Sequence, residues 1–228
     1  MVMNLEKVVP FGRSLGEYKK MFSLSPDDLN KKIVGVADGP ASFNAEMFAL
    51  GKAMVSVDPL YIFRANEIEK QFYSVVDNII AQVKSTPGDW VWSYHKSPDD
   101  LKINRVNVLR EFVADYEKGK AEGRYVVGKL PRLSFENTQF DLALCSHFLF
   151  LYSDHFTYEF HRASVLEMLR VASEVRIFPL LTLNLEKSPY LQPLMEEFKS
   201  VDITVSVETV GYELQRGGNE MLRIKRAA

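Results

Sequence analysis

Asp58 ends the mostly apolar run 53–57, and the small-residue turn Ala37-Asp38-Gly39-Pro40-Ala41 follows the apolar run 32–36. Small residues let a backbone approach a ligand closely, and the N-terminus of the helix that leaves such a turn presents unpaired N–H groups. A carboxylate at the next strand end can accept hydrogen bonds from the two hydroxyls of a ribose. Together these residues have the layout of the nucleoside-binding half of a doubly wound sheet.

Other side chains able to do chemistry stand further along. His147 lies just past the predicted strand 140–145, at the ligand-facing edge of such a sheet. It reads either as a proton acceptor or as a histidine that caps the turn before Phe148. Ser146 beside it is either a ligand-facing residue or a turn residue. Cys145 is the single cysteine, and inside an apolar strand it reads as a small core residue rather than a nucleophile. Trp90, Trp92, Tyr94 and His95 form either a lid over the site or an aromatic turn packed on the domain. His155 and His161 are six apart, not the four that puts two ligands on one helix face, so no metal site is expected.

The elements that position these residues alternate. Leu15, Tyr18 and Phe22 fall at helical spacing, and Ser25-Pro26 suits a second helix start. After Asp58 come two helical patterns, 63–84 and 98–118, in an insertion at 61–123 that far exceeds the dozen or so residues of an ordinary crossover. Strand-like runs at 125–127, 140–145 and 175–178 then alternate with a helix that holds Val165, Met168, Leu169 and Ala172. This is the pattern of a parallel sheet covered on both faces. Runs at 204–214 and 221–226, joined by a tight glycine turn at 216–219, predict a closing antiparallel hairpin.

Composition narrows the class. The chain has 228 residues with 28 Lys and Arg against 30 Asp and Glu, a formal charge of -2, so no global basic field exists to attract a nucleic acid. No stretch reaches the roughly 18 apolar residues of a membrane span, residues 1–7 lack a signal-like run, and one cysteine suits a reducing compartment. A cytoplasmic protein of one domain, 1–228, with an N-terminal helical segment at 1–30, is expected. The sequence leaves a homo-oligomer open.

A parallel alternating sheet closed by an antiparallel hairpin resembles the class I S-adenosylmethionine-dependent methyltransferases, over residues 31–226. Residues 33–43 look like that family's first motif, with Ala37 and Ala41 where glycines are usual and Gly35 where an acid is usual. Residues 135–147 are similar to its fourth motif and 166–171 to the helix that follows. Arg13-Ser14, Glu17-Tyr18, Met21-Phe22 and the 39–44 turn suggest an uncharacterised, bacterial-type branch.

The resemblance implies an α/β fold with a doubly wound, mostly parallel seven-stranded sheet, and S-adenosylmethionine as cofactor. Ala37, Asp38 and Gly39 would lie at its methionine end, Asp58 at the ribose, Pro59 and Leu130 by the adenine, and Ser146 along the cofactor. Lys129 stands where an acid commonly contacts the adenine amino group, so backbone groups would have to serve there. Arg13 and Tyr18 would offer a guanidinium and a hydroxyl to the amino-acid end. A small-molecule acceptor would sit beneath the insertion and the N-terminal helix, with His147 as base. Two further readings stay open: a methyltransferase-like nucleoside binder without catalysis, and a nicotinamide-dependent oxidoreductase. The hairpin and the lack of a Gly-x-Gly-x-x-Gly turn count against the latter.

Overall fold

The computed structural model describes residues 10–199 and 202–226, so the first part of the expected N-terminal segment 1–30 lies outside the described residues. β1 (Ile33–Val36), β2 (Met54–Val57), β3 (Tyr125–Val126), β4 (Phe140–Ser146) and β5 (Ala172–Phe178) are parallel. β6 (Ile203–Thr209) and β7 (Glu220–Arg226) close the chain, with β7 antiparallel to both β5 and β6. The sheet order β3-β2-β1-β4-β5-β7-β6 is the mostly parallel seven-stranded arrangement with an antiparallel hairpin that the sequence predicts.

Both faces are covered, which is why β1 is buried along its whole length. Ile33, Leu142 and Leu144 point into a core shared with α1 (Leu15–Met21), α2 (Phe43–Ala49), α3 (Ala65–Ser85) and α4 (Pro98–Ala121). Val34, Val36, Ala143 and Cys145 point the other way, under α5 (Tyr158–Val171) and α6 (Leu191–Phe198). Helix starts follow local chemistry. Ser14 and Glu17 close a capping box on α1, and Ser97 caps α4 with Pro98 in its first turn.

Several boundaries differ from expectation. Ser25-Pro26 opens only the 3-10 turn Asp28–Asn30, because Ser25 and Asp28 each accept the other's backbone N–H at 3.1 Å and close the chain on itself. Ala172 begins β5 directly after α5 rather than ending the helix. α6, which the sequence analysis does not predict, buries Leu191, Leu194 and Phe198. The hairpin is not tight: β6 ends at Thr209, paired with Glu220, and the connection 210–219 turns back over the sheet edge. Gly217, with φ of 79°, permits that turn.

β1 lies between β2 and β4, so its carboxyl end is where the strand order reverses. A doubly wound sheet binds ligands at this place, and Gly39, Asp58, Ser146 and His147 converge there.

Candidate functional site

The carboxyl ends of β1, β2 and β4 open into a cavity of about 350 Å³, bounded opposite by α3, the start of α4 and the 210–219 connection. Arg13, Tyr18, Ala37, Asp38, Gly39, Asp58, Pro59, Ser146 and His147 all line it. Leu130 does not. It is buried in the core under α5 and α6, away from the cavity wall.

The turn after β1 is built from left-handed residues, Ala37 with φ of 58° and Gly39 with φ of 56°. Alanine is strained there by roughly 1–2 kcal/mol; the Ala37 N–H, donated to the Val57 carbonyl at 2.8 Å, helps to hold it in place. A Cβ on Gly39 would meet nothing within 4 Å, so the backbone here borders open cleft.

Asp38 folds back under the turn, where its carboxylate accepts the Tyr18 hydroxyl at 2.6 Å and the Ser56 hydroxyl at 2.7 Å. A Cβ on Gly35 would lie 1.9 Å from Asp38 Oδ2. The glycine that stands in place of the usual acid is therefore required, because Asp38 brings a carboxylate into that position from further along the chain. Burial pushes its carboxyl up to about 7, against the two hydrogen bonds it accepts.

Asp58 caps the 3-10 turn Pro59–Ile62 and accepts the N–H groups of Leu60 at 2.7 Å and Gly39 at 2.9 Å. A carboxylate has about four acceptor positions, so two are left for a ligand. Burial pushes Asp58 up to about 6. Tyr61 donates to the Gly39 carbonyl at 2.7 Å and fixes the other side of the turn.

The N-terminal segment roofs this turn. Gly12 lies so close that a Cβ would come within 2.0 Å of the Pro40 carbonyl oxygen. The next residue, Arg13, is nearly buried, with its Nε lacking any hydrogen-bond partner. Burial lowers its pKa to about 10, with the Arg105 charge adding to the effect. The Tyr18 hydroxyl donates its hydrogen to Asp38 and so braces the turn, while its oxygen keeps acceptor capacity on the cavity wall.

Glu17, fully buried, ties the roof together. It accepts both Arg105 Nη atoms at 2.8 and 2.7 Å, the Tyr212 hydroxyl at 2.9 Å, and contacts His95 Nε2 at 3.2 Å. Burial alone would raise its carboxyl, but the Arg105 guanidinium and the hydrogen bonds hold it well below the usual carboxylate range. His95 thus belongs to a hub joining α1, α4, the aromatic turn and the 210–219 connection. Of the expected lid aromatics, Trp90 lines the cavity; His95, Trp92 and Tyr94 do not.

His147 adopts a left-handed φ of 51° and donates its N–H to the Phe178 carbonyl at 2.6 Å. Its Nδ1 pairs with Ser146 Oγ at 2.9 Å, and its Nε2 bonds no group among the described residues. Burial, and then the charges of Arg13 and Arg105, hold its pKa well below the usual histidine value, so the imidazole is neutral. Cys145 is buried, which pushes its thiol up to about 12 and excludes a thiolate nucleophile. His161 pairs with the carbonyls of Thr157 and Leu149 in the core. No group of three or more metal-binding side chains gathers among the described residues, and no helix among them is long and apolar enough to cross a membrane.

Sequence reasoning missed the Asp38–Gly35 exchange and the Glu17 hub. The Ser14-x-x-Glu17 capping box was a signal for Glu17 as a helix cap, but nothing local pairs it with Arg105.

No family model matches the chain. The uncharacterised protein MJ0045 of Methanocaldococcus jannaschii is 34% identical over 225 residues, covering 98% of this chain and 99% of that one. Among solved structures, the chain is similar to a TehB-like SAM-dependent methyltransferase from Corynebacterium glutamicum, at 11% identity and a TM-score of 0.49, over 93% of this chain and 88% of that one. It is also similar to the magnesium protoporphyrin IX methyltransferase of Synechocystis with bound SAM, at 12% identity and a TM-score of 0.43, over 86% and 69%.

Proposed function

We propose that this chain, which belongs to one family with that archaeal protein, binds S-adenosylmethionine at the β1/β4 switch point and methylates a small molecule. The observation that carries the reading is the donor end of the cleft. Asp58 retains two acceptor positions beside a glycine turn with open space above it, and the Arg13 guanidinium lines the same cavity. These match a ribose diol, a close-lying ligand backbone and a carboxylate respectively.

The residues divide the work as follows. Asp58 accepts the ribose hydroxyls, Pro59 borders the adenine, and the 37–39 backbone borders the amino-acid portion, whose carboxylate Arg13 binds. Tyr18, Ser56 and Tyr61 hold the turn in shape. The cofactor supplies a methyl group already activated as an electrophile on a sulfonium. The protein's remaining tasks are alignment, exclusion of water and a destination for a proton. We assign that destination to His147, which lines the cavity: in the tautomer that donates Nδ1–H to Ser146 Oγ, Nε2 is left with a free lone pair. We place the protein in the cytoplasm. Its bacterial-type branch, read from the 13–22 and 39–44 residues, is part of the same proposal beside an archaeal relative.

Calorimetric titration with S-adenosylmethionine, S-adenosylhomocysteine and NAD tests this. Micromolar binding of the first two, without NAD, is expected. Binding of NAD alone would replace the reading with an oxidoreductase, and no binding of any of the three would overturn it.

A further inference from the structure

Beyond the donor end, the cleft continues between α3, α4 and the 210–219 connection. Its walls there are Phe63, Ile79, Val83, Trp90, Leu101 and Leu214. Resting on the donor assignment above, we infer that this end takes an uncharged, ring-bearing hydrophobic molecule, whose aromatic hydroxyl donates its hydrogen to His147 Nε2.

Charge excludes the alternatives. The carboxylates on the cleft wall, Asp38 and Asp58, stand at the donor end and are already hydrogen-bonded there. Arg105 reaches the wall, but both of its terminal nitrogens bind Glu17. An acceptor bearing a cation or a second anion would enter this end without a counter-charge, and an unpaired buried charge is costly. What the apolar end does offer is neutral. The half-buried Gln71 and Gln215 face the cavity with side-chain amides that bond no group among the described residues. Amides of this kind recognise a carbonyl or hydroxyl and discriminate little in favour of charge.

His147 narrows the hydroxyl. Its imidazole is half-buried on the cavity wall, and desolvation and the nearby Arg13 and Arg105 charges hold its pKa below the usual histidine value, which makes it a weak base. An aromatic hydroxyl, with an ordinary pKa of about 10, is a far better hydrogen-bond donor to it than an aliphatic alcohol. The aromatic wall residues suit a ring by stacking. The pocket is also pre-formed, because the Glu17 hub fixes the elements that make its roof without any ligand, and a pre-formed site loses little affinity to ordering.

The test is direct binding to the purified full-length protein by calorimetry, with three probes of one shape: 2-naphthol, 2-naphthoate and 2-methoxynaphthalene. Each is titrated with and without S-adenosylhomocysteine. We expect 2-naphthol to bind at least tenfold more tightly than either of the others. His147→Ala should erase its advantage over 2-methoxynaphthalene. Equal or tighter binding of 2-naphthoate, or no binding of any probe, overturns the inference even where S-adenosylhomocysteine binds. Loss of S-adenosylhomocysteine binding with the naphthol preference intact strikes the donor reading alone.

Discussion

The exchange between Gly35 and Asp38 makes a sharp prediction. A methyl group added at position 35 would sit 1.9 Å from Asp38 Oδ2 and 2.5 Å from its Cγ, so Gly35→Ala must expel the carboxylate from its site. Expulsion breaks the bonds from Tyr18 and Ser56, both made to a buried acid. At roughly 0.5–1.5 kcal/mol for each hydrogen bond to the neutral acid, the expected loss is roughly 1–3 kcal/mol. The assay is urea unfolding at about pH 5, below the value of about 7 to which burial pushes Asp38, so that the acid is neutral in the native state and its desolvation does not offset these bonds. Asp38→Gly alone should lose a similar amount. The double variant Gly35→Asp with Asp38→Gly returns a carboxylate to the same pocket from the neighbouring strand, and should recover at least half of the loss as a coupling between the two sites. A Gly35→Ala protein within about 0.5 kcal/mol of the parent, the ordinary range for an inconsequential surface change, would show that the turn adjusts freely. A double variant as unstable as the sum of the singles would refute the idea that the two positions share one carboxylate site.

Asp58→Ala should weaken S-adenosylhomocysteine binding by roughly 1.5–3 kcal/mol or more, the range for one lost hydrogen bond to a charged group, with calorimetry as the readout. Because Asp58 titrates at about 6 and only the ionised form accepts from both ribose hydroxyls, parent affinity should be full above that pH and fall as pH drops through it; a flat profile from pH 5 to 8 would contradict the assignment. Ala37→Gly relieves a left-handed alanine, and after subtracting the added freedom of glycine in the unfolded chain should raise stability by roughly 0.5–1 kcal/mol in the same urea assay. Glu17→Gln leaves Arg105 buried without its counter-charge and should destabilise by roughly 3–5 kcal/mol; an unchanged unfolding midpoint would show that the hub holds nothing together.

What could be read from the sequence was what short-range pattern encodes. The runs 32–36, 53–57 and 140–145 announce buried parallel strands, and a parallel sheet puts the residue after each strand on one edge. Gly39, Asp58 and His147 were therefore placed together without any knowledge of contacts. Leu130 shows where this logic fails. It follows the two-residue strand β3, and with so little regular structure to set its direction the chain turns it into the core. The connection 210–219 fails for a related reason. Its glycines signalled a turn, but the strand pairing stops at Thr209, and Leu214 and Gln215 of the freed connection return as cavity wall.

The features invisible to pattern are those in which one residue's chemistry is supplied by another far along the chain. Gly35 reads as a lost acid until Asp38 is seen to occupy its space, and Tyr18 reads as a ligand contact alone until its hydroxyl is seen to serve Asp38. His95 reads either as a lid residue or as part of a packed aromatic turn until its contact with Glu17 decides for the second. These cases share one direction: side chains that could serve the ligand or its lid brace the residues that touch it. A binding turn made of strained Ala37 and flexible Gly39 has little rigidity of its own, so its geometry must come from the buried carboxylate beneath it and the hub above it. The affinity of the cleft should accordingly depend on Asp38 and Glu17 almost as strongly as on Asp58, although neither side chain is needed to touch a ligand.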